Sequence, residues 1–460
     1  MQEIPLNPSY SDHNSEIYPL KSTSRLVGLD FGKGFGILAM ILIHSIIQQI
    51  AEFNGALFVP TFSSIPLIIL IILVPLLLLA LWGTAFTTFS VIGITNQLLK
   101  IPAQQTKENL MYLGSRIIIG MIILLVRRVA MLLINFFQDW SNFTLHWQNL
   151  YHIEADTIDA IVWAGIISAV VFYIVKKFIK NIKQYYHHLS IFFIILAYIW
   201  LFLAPLLIQI TNLVIDSWAD QNFVLGEYIL GKFARGRFKL FQTLAFGFMG
   251  ISFGLLLHYK TRKRILLRYT WIIMGISIIT SGIMILIDPS VLTHFADKDV
   301  PSTLQILNLG GLFGLITIFF TQFDYVSVDV QHNRTKKSRW VIRYGLISLT
   351  AFTFDTIITR IPFRLMCLIF GPSVDHTVEI PYLRWMWWQI ILYVAVVWIF
   401  WEIILRLWEK IGFVGSLDWW LMFLMRVILK KGNGKIPIQK ILYGNTYAQK
   451  TKEKKPDKEN

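Results

Sequence analysis

His44 lies in the first long apolar run of this chain, Gly34 to Ile50, and two other ionisable residues share its helix face. Asp30 lies three residues before Lys33, and Lys33 eleven before His44, spacings close to whole helical turns. Ionisable groups at membrane depth are costly, face protein or a water-filled cavity, and often mark function. A histidine there can take a proton as a general base or carry a transferred group itself. An acid and a base near the other end of the same helix can shape a ligand path or hold the helix. The structural alternative is an Asp–Lys ion pair with a histidine bonded to a backbone carbonyl. Gly34 and Gly36 would let a second helix or a ligand come close.

Arg127 and Arg128 form a second unusual group, adjacent within the apolar run 117–137. Neighbouring helical residues point about 100° apart, so both cannot face lipid and a partner is required. Either could bind a phosphate or a developing oxyanion. As structural groups they need carboxylates, and Asp355 and Glu402 in later apolar runs are the candidates. Those two acids could also orient His44, but an arginine partner is the favoured expectation for each. Asn308 and Ser302 fit hydrogen bonds between helices. His258, Tyr259 and the basic run after them could meet phosphates, or simply mark the inner face. His187-His188 is expected in a loop, too isolated for a metal site. The single cysteine, Cys367, excludes an internal disulfide and any multi-cysteine cluster.

The elements that position these residues follow from composition. Of 460 residues 55% are hydrophobic and only 15% charged, with mean hydropathy +0.59, the signature of a multi-pass membrane protein. A span needs about 20 apolar residues. The fold expected is an all-α integral membrane bundle of ten helices, near 27–50, 65–99, 113–137, 157–176, 189–215, 240–258, 269–288, 302–323, 340–360 and 384–408. The second run is too long for one straight span; Pro66, Pro75 and Gly83 could kink or split it, giving eleven. Residues 1–24 read as a polar cytoplasmic segment, 25–429 as one transmembrane domain, and 430–460 as a basic disordered tail. Trp385, Trp387, Trp388 and Trp398 are expected in an interfacial belt and in packing.

The formal net charge is +15. The basic clusters are dispersed over alternate loops, so they argue for topology rather than nucleic-acid binding. Lys100, Lys107, Lys176, Lys177, Lys180, Lys183, the run Lys260–Arg268, and Arg334–Arg339 all fall on one side, which puts both termini in the cytoplasm. Glu52, Asp139, Glu154, Asp156, Asp297 and Asp299 fall opposite, as does the sequon Asn142–Thr144. Two groups break the pattern on the outer side: the loop with Lys232, Arg235, Arg237 and Lys239, and Arg360, Arg364 and Arg384.

The stretch Asp30-Phe-Gly-Lys33 through His44 resembles the transmembrane acyltransferase superfamily, which includes membrane sugar O-acyltransferases and the heparan-alpha-glucosaminide N-acetyltransferase type. The O-acyltransferases show Arg, ten residues, then His; here Lys33 replaces that Arg. The resemblance continues in order through Phe86–Gly93, Ser115-Arg116–Gly120, Leu244–Gly254, Pro301-Ser302–Gly310, Tyr344–Phe352 and Gly415-Ser-Leu-Asp418-Trp419–Arg426. It implies an acyl-CoA-dependent O- or N-acetyltransferase of the plasma membrane, using acetyl-CoA as co-substrate without a metal. The acceptor would be a hydroxyl or amine of a sugar or glycoconjugate. It implies His44 as general base or acyl carrier, with Asp30 and Lys33 completing the catalytic set. Arg116, Arg127 and Arg128 are the candidate acyl-CoA contacts. The expected partners are membrane lipid and the acceptor, with homo-oligomerisation left open. The rivals are a transporter or flippase for an anionic substrate, which intramembrane charges would suit, and a family member without activity.

Overall fold

The computed structural model describes residues 26–52, 83–138, 156–179, 181–220, 223–291, 300–377 and 381–429. The segments 1–24 and 430–460, Pro66, Pro75, the sequon, Lys180, Asp139, Glu154, Asp297 and Asp299 lie outside these residues. The described chain is helical almost throughout. Helix α1 (Val27–His44) runs into a π-helical segment, Ser45–Ile50. There follow α2 (Gly83–Lys100), α3 (Thr106–Gln138), α4 (Thr157–Phe178), α5 (Ile182–Asp220), α6 (Val224–Ala234) and α7 (Leu240–His258). Then come α8 (Lys263–Ile287), α9 (Ser302–Phe323), α10 (Val328–Lys337), α11 (Arg339–Leu346) and α12 (Ser348–Phe370). A two-residue hairpin pairs β1 (Val374–Asp375) with β2 (Tyr382–Leu383), and α13 (Trp387–Lys410) and α14 (Leu417–Ile428) complete the chain.

Among the described residues, 8 helices are long and apolar enough to cross a membrane, and the bent pair α11–α12 makes up to 9. The protein is an all-α, multi-pass integral membrane protein. Its spans correspond to the expected apolar runs, with the run near 65–99 described only from Gly83. Two expectations are corrected. The segment near 340–360 is not one straight helix: α11 and α12 meet at a 92° bend. Gly345 is pressed onto α1, where a Cβ would lie 2.2 Å from the Asp30 carbonyl oxygen, and this holds α11 in place. Beyond the bend, Asp418 makes a new helix start: it accepts the N–H groups of Leu349 and Thr350, at 3.2 and 3.0 Å, and the Thr350 hydroxyl at 2.8 Å. The second correction concerns His187 and His188. Helix α5 starts at Ile182, so both lie on a helix rather than in a loop.

Helix α7 is the hub. Its whole surface is covered, with 94% of its spanning window buried. Gly247, Gly250 and Gly254 make this geometry fit, since Cβ atoms there would lie 2.2 Å from Ser168, 2.8 Å from Val91 and 2.6 Å from Thr95. Small residues give helices in a bilayer the close packing that lipid exclusion cannot provide. Helices α8 and α13 bury only 22% of their windows, so residues such as Trp271, Ile272, Ile279, Ile399 and Ile403 face lipid. Trp385 is packing rather than belt: it is buried among Phe363, Phe370 and Tyr393.

Contacts sort the helix ends into two sets. Lys176, near the end of α4, donates to the Leu98 and Ile101 carbonyls and to Asn109 Oδ1 at 2.9 Å. His258 meets Asn96 at 2.8 Å, and Asp324 meets the start of α1. That is the Lys176 end of the bundle. At the opposite end lie His44 and the starts of α2, α4, α7 and α9.

The tightest approach in the fold is Gly34 on α11, where a Cβ would stand 2.0 Å from the Val341 carbonyl oxygen. Gly34→Ala should destabilise the protein by about 1–3 kcal/mol through overpacking. Gly93→Ala, with nothing within 4 Å of its Cβ position, should leave stability unchanged or raise it. Thermal unfolding of the two variants in detergent checks this; equal midpoints would show that the close approach is not needed.

Candidate active site

The apolar sequence of α1 carries His44 to the point where the helix widens. From Ser45 to Ile50 the backbone is π-helical, a form rare in length and common at functional sites. The wider turn is held against α12 by polar contacts. Gln49 Nε2 donates to the Thr356 carbonyl at 3.3 Å, Thr356 Oγ1 to Gln48 Oε1 at 2.8 Å, and Ser373 Oγ to the Ile50 carbonyl at 3.1 Å.

This clamp sets His44 beside Asp355. His44 Nδ1 and Asp355 Oδ2 are 2.6 Å apart. The other carboxylate oxygen, Oδ1, accepts the Thr356 N–H at 2.7 Å and hydroxyl at 3.2 Å. Asp355 is thus fixed on both oxygens and almost fully buried, whereas the His44 side chain keeps 31% of its surface exposed. With the carboxylate accepting, the shared proton lies on Nδ1, and in the neutral imidazole that tautomer has the lone pair on Nε2. Phe352 meets the imidazole edge-on at 6.4 Å, and Phe86 stands against Phe352 at 6.3 Å. The arrangement is a half-exposed histidine, a buried carboxylate on its Nδ1 and an aromatic wall. The expectation that Asp355 neutralises an arginine is therefore corrected: it orients His44. The sequence alone cannot tell which face of α1 meets α12.

Asp30 and Lys33 do not join this group. Lys33 is eleven residues from His44, about 16 Å of helix rise, and lies toward the Lys176 end. Burial pushes the Asp418 carboxyl up, opposed by its bonds to Thr350 and Leu349 and by the Lys33 charge. Asp30 is buried and lies near Asp324. Asp324 Oδ1 and Oδ2 accept the N–H groups of Val27 and Gly28 at 2.9 and 2.8 Å, closing the start of α1 with a residue from the end of α9.

The three arginines separate as well. Arg127 Nε donates to Asp156 at 3.1 Å, and Arg128 Nη2 to Asp159 at 2.9 Å. Lys232 reaches the same Asp159 oxygen at 2.7 Å. Asp156 and Asp159 also form a reciprocal cap on α4. The partners of Arg127 and Arg128 are therefore the acids that start α4, not Asp355 or Glu402, and both arginines stand at the His44 end. Glu402 does take arginines, Arg343 and Arg406, each at 2.8 Å, while Glu409 takes Arg343 at 2.6 Å. Arg116, half-buried along α3, donates to the Tyr112 hydroxyl at 3.0 and 2.8 Å. Asn308 makes the expected interhelical bond, to Thr84 Oγ1 at 3.0 Å. Among the described residues, no group of three His, Cys, Asp or Glu side chains could hold a metal ion.

Sequence reasoning did not pick out Gln48, Gln49 and Thr356, which fix the histidine's turn. Their signal was polarity at the end of an apolar run, which also describes any membrane–water boundary.

Two measurements probe the charged anchors. Burial, with Asp30 adding to it, holds the Asp324 carboxyl up at about 7 against the pull of the Gly28 and Val27 N–H groups. The folded state then binds a proton that the unfolded chain releases near pH 4. Its contribution to stability is full below that value and is lost as the pH rises through about 7. Melting curves across this window should show Asp324→Asn with a flatter pH dependence than the native chain; identical slopes would contradict it. Asp159→Asn leaves Arg128 and Lys232 without their shared carboxylate and should cost about 3–5 kcal/mol, read as a lowered midpoint in the same melts. Compared with known proteins, the chain matches no family model, no curated protein and no solved structure.

Proposed function

We propose that the protein is a membrane-embedded acyltransferase. It moves an acyl group, acetyl in the first instance, from acyl-CoA to a hydroxyl or amine of a sugar or glycoconjugate. The observation that carries this reading is the His44–Asp355 pair. A buried carboxylate that fixes Nδ1–H leaves Nε2 as a base, the arrangement that activates weak nucleophiles elsewhere. Nε2 removes the acceptor proton as the acceptor oxygen or nitrogen attacks the thioester carbonyl. The C–S bond then breaks, and the proton passes from the imidazolium to the departing CoA thiolate. Asp355 stabilises the imidazolium in between.

The resemblance running from Asp30 to Arg426 supports the same reaction class. The bundle's polarity is compatible with it: acyl-CoA would approach from the Lys176 end, and the acceptor would meet His44 at the other. The chain would lie in the plasma membrane with both termini cytoplasmic. On this arrangement Arg116, which donates to the Tyr112 hydroxyl and is held by no carboxylate among the described residues, is the candidate acyl-CoA contact, whereas Arg127 and Arg128 serve the fold at the far end. A transporter draws less support, because Arg127, Arg128, Asp355 and Glu402 are each committed to a partner.

The test is transfer of labelled acetyl from acetyl-CoA to candidate acceptors in membranes containing the full chain. His44→Ala should lower the rate by roughly 10²–10⁴-fold. Asp355→Asn, which keeps an oxygen for Thr356 but no longer selects the tautomer, should lose up to about 10⁴-fold. Full activity in His44→Ala would sink the reading.

A further inference from the structure

The turn between α6 and α7, Arg235-Gly-Arg-Phe-Lys239, is the basic loop that breaks the charge pattern, and it lies at the His44 end. Gly236 takes φ +92°, a value that favours glycine, and so lets two arginines flank a sharp turn. Most cations here are committed. Arg235 donates to Asp216 at 2.6 Å and to Asn212 at 3.4 Å, and Lys232 to Asp159. Arg237 differs. Its Nε is buried with no hydrogen-bond partner. Burial pushes its guanidinium below the ordinary value, and no carboxylate opposes the shift. Arg237 is half-buried, and its unpartnered Nε is a standing cost that a bound anion would offset.

Among the described residues, the two helix starts beside this turn favour negative charge. Helix α7 starts directly after this turn. Phe238 packs on the start of α2, where a Cβ at Gly83 would lie 2.3 Å from its ring. In the first turn of α7, Gln242 donates to the Val300 carbonyl at 3.1 Å and Ser302 Oγ at 3.4 Å, which brings the start of α9 alongside. Neither α7 nor α9 has a side-chain cap at its first turn. Their N–H groups and dipoles therefore add positive potential next to an unpaired guanidinium.

We propose that Arg237 is the core of a binding site for an anionic group, phosphate or carboxylate, carried by the acceptor. This rests on the transferase reading and narrows its substrate class to negatively charged sugars or glycoconjugates. The position suits a holding site rather than a reacting one. From Gly83, one helical turn leads to Phe86, then Phe352, then His44, through ring contacts of 6.3 and 6.4 Å. Binding at a remote part of the acceptor would orient its hydroxyl or amine at the base.

The experiment is ligand-induced stabilisation of the purified full chain, with inorganic phosphate, N-acetylglucosamine 1-phosphate and neutral N-acetylglucosamine as probes. The sugar phosphate should raise the melting midpoint saturably, phosphate more weakly, and the neutral sugar not at all. The effect should shrink at high salt. Arg237→Gln should weaken sugar phosphate at least tenfold and Arg237→Lys less. Without ligand, Arg237→Gln should melt at the native midpoint or above it, because an unpaired charge has been removed. Equal binding by Arg237→Gln, or no Arg237-dependent binding of either anion, would overturn the proposal. The same measurement in nanodiscs of phosphatidylcholine with and without phosphatidylglycerol separates a lipid source. If only the anionic lipid gave an Arg237-dependent shift, the site would hold a headgroup and the acceptor assignment would fall. The readout needs no acyl transfer. Loss of Arg237-dependent binding with His44-dependent transfer intact would sink this inference alone; the opposite pattern would sink only the transferase.

Discussion

The polar architecture of this bundle depends on how closely α1 lies against α11 and α12. Gly34 and Gly345 face each other with no room for a methyl group on either, the backbone of one helix resting on that of the other. The chain then bends at Ile347, and α12 climbs beside α1 until Asp355 reaches His44 at 2.6 Å. A short charge-assisted hydrogen bond tolerates little displacement. Any residue that pushed the helices apart at Gly34 would loosen the pairing of the only histidine and aspartate brought together at that depth among the described residues.

A second regularity governs how helices begin inside apolar surroundings. Their first N–H groups need acceptors, and burial without them is costly. Here carboxylates do this work, two of them from elements far away in sequence. Asp324, ending α9, closes the start of α1; Asp418, in α14, closes the start of α12. Asp156 closes α4 locally and takes Arg127 as well. Each carboxylate ties one helix end to another element, so capping and tertiary assembly are the same interaction. Among the described residues, the starts of α7 and α9 depart from this rule: neither has a side-chain cap, and Arg237 stands just before α7. At the His44 end, therefore, a carboxylate-capped start, that of α4, stands beside two starts without a side-chain cap.

The spans were legible because an apolar run of about 20 residues has few alternatives in a bilayer. The bend at Ile347 was not, since Arg339 to Phe370 reads as a nearly continuous periodic segment and the cause lies in contacts with Asp30 and Asp418. The candidate site was half legible. His44 and Asp355 both stood out as ionisable residues in apolar surroundings, a signal that a single sequence does carry. Which acid belonged to which base was a matter of helix adjacency, and α1 to α12 spans more than 300 positions. The same limit misassigned Arg127 and Arg128. Their partners, Asp156 and Asp159, lie across a single connection; Asp156 read simply as an outer-loop acid, and Asp159 was not singled out.

Lys33 shows how a departure from a motif can be weighed by position. The resemblance expects arginine there, and lysine cannot supply a planar two-pronged contact to phosphate or carboxylate. Had Lys33 stood beside His44, that difference would bear on the chemistry directly. It stands instead about three helical turns away, and its charge acts on Asp418. Asp418 holds the first turn of α12, the helix that carries Asp355. A compact point charge suffices to influence a carboxylate already fixed by two N–H groups and a hydroxyl. The exchange of arginine for lysine thus falls on the support of the candidate site, through the start of α12, and leaves the His44–Asp355 geometry itself untouched.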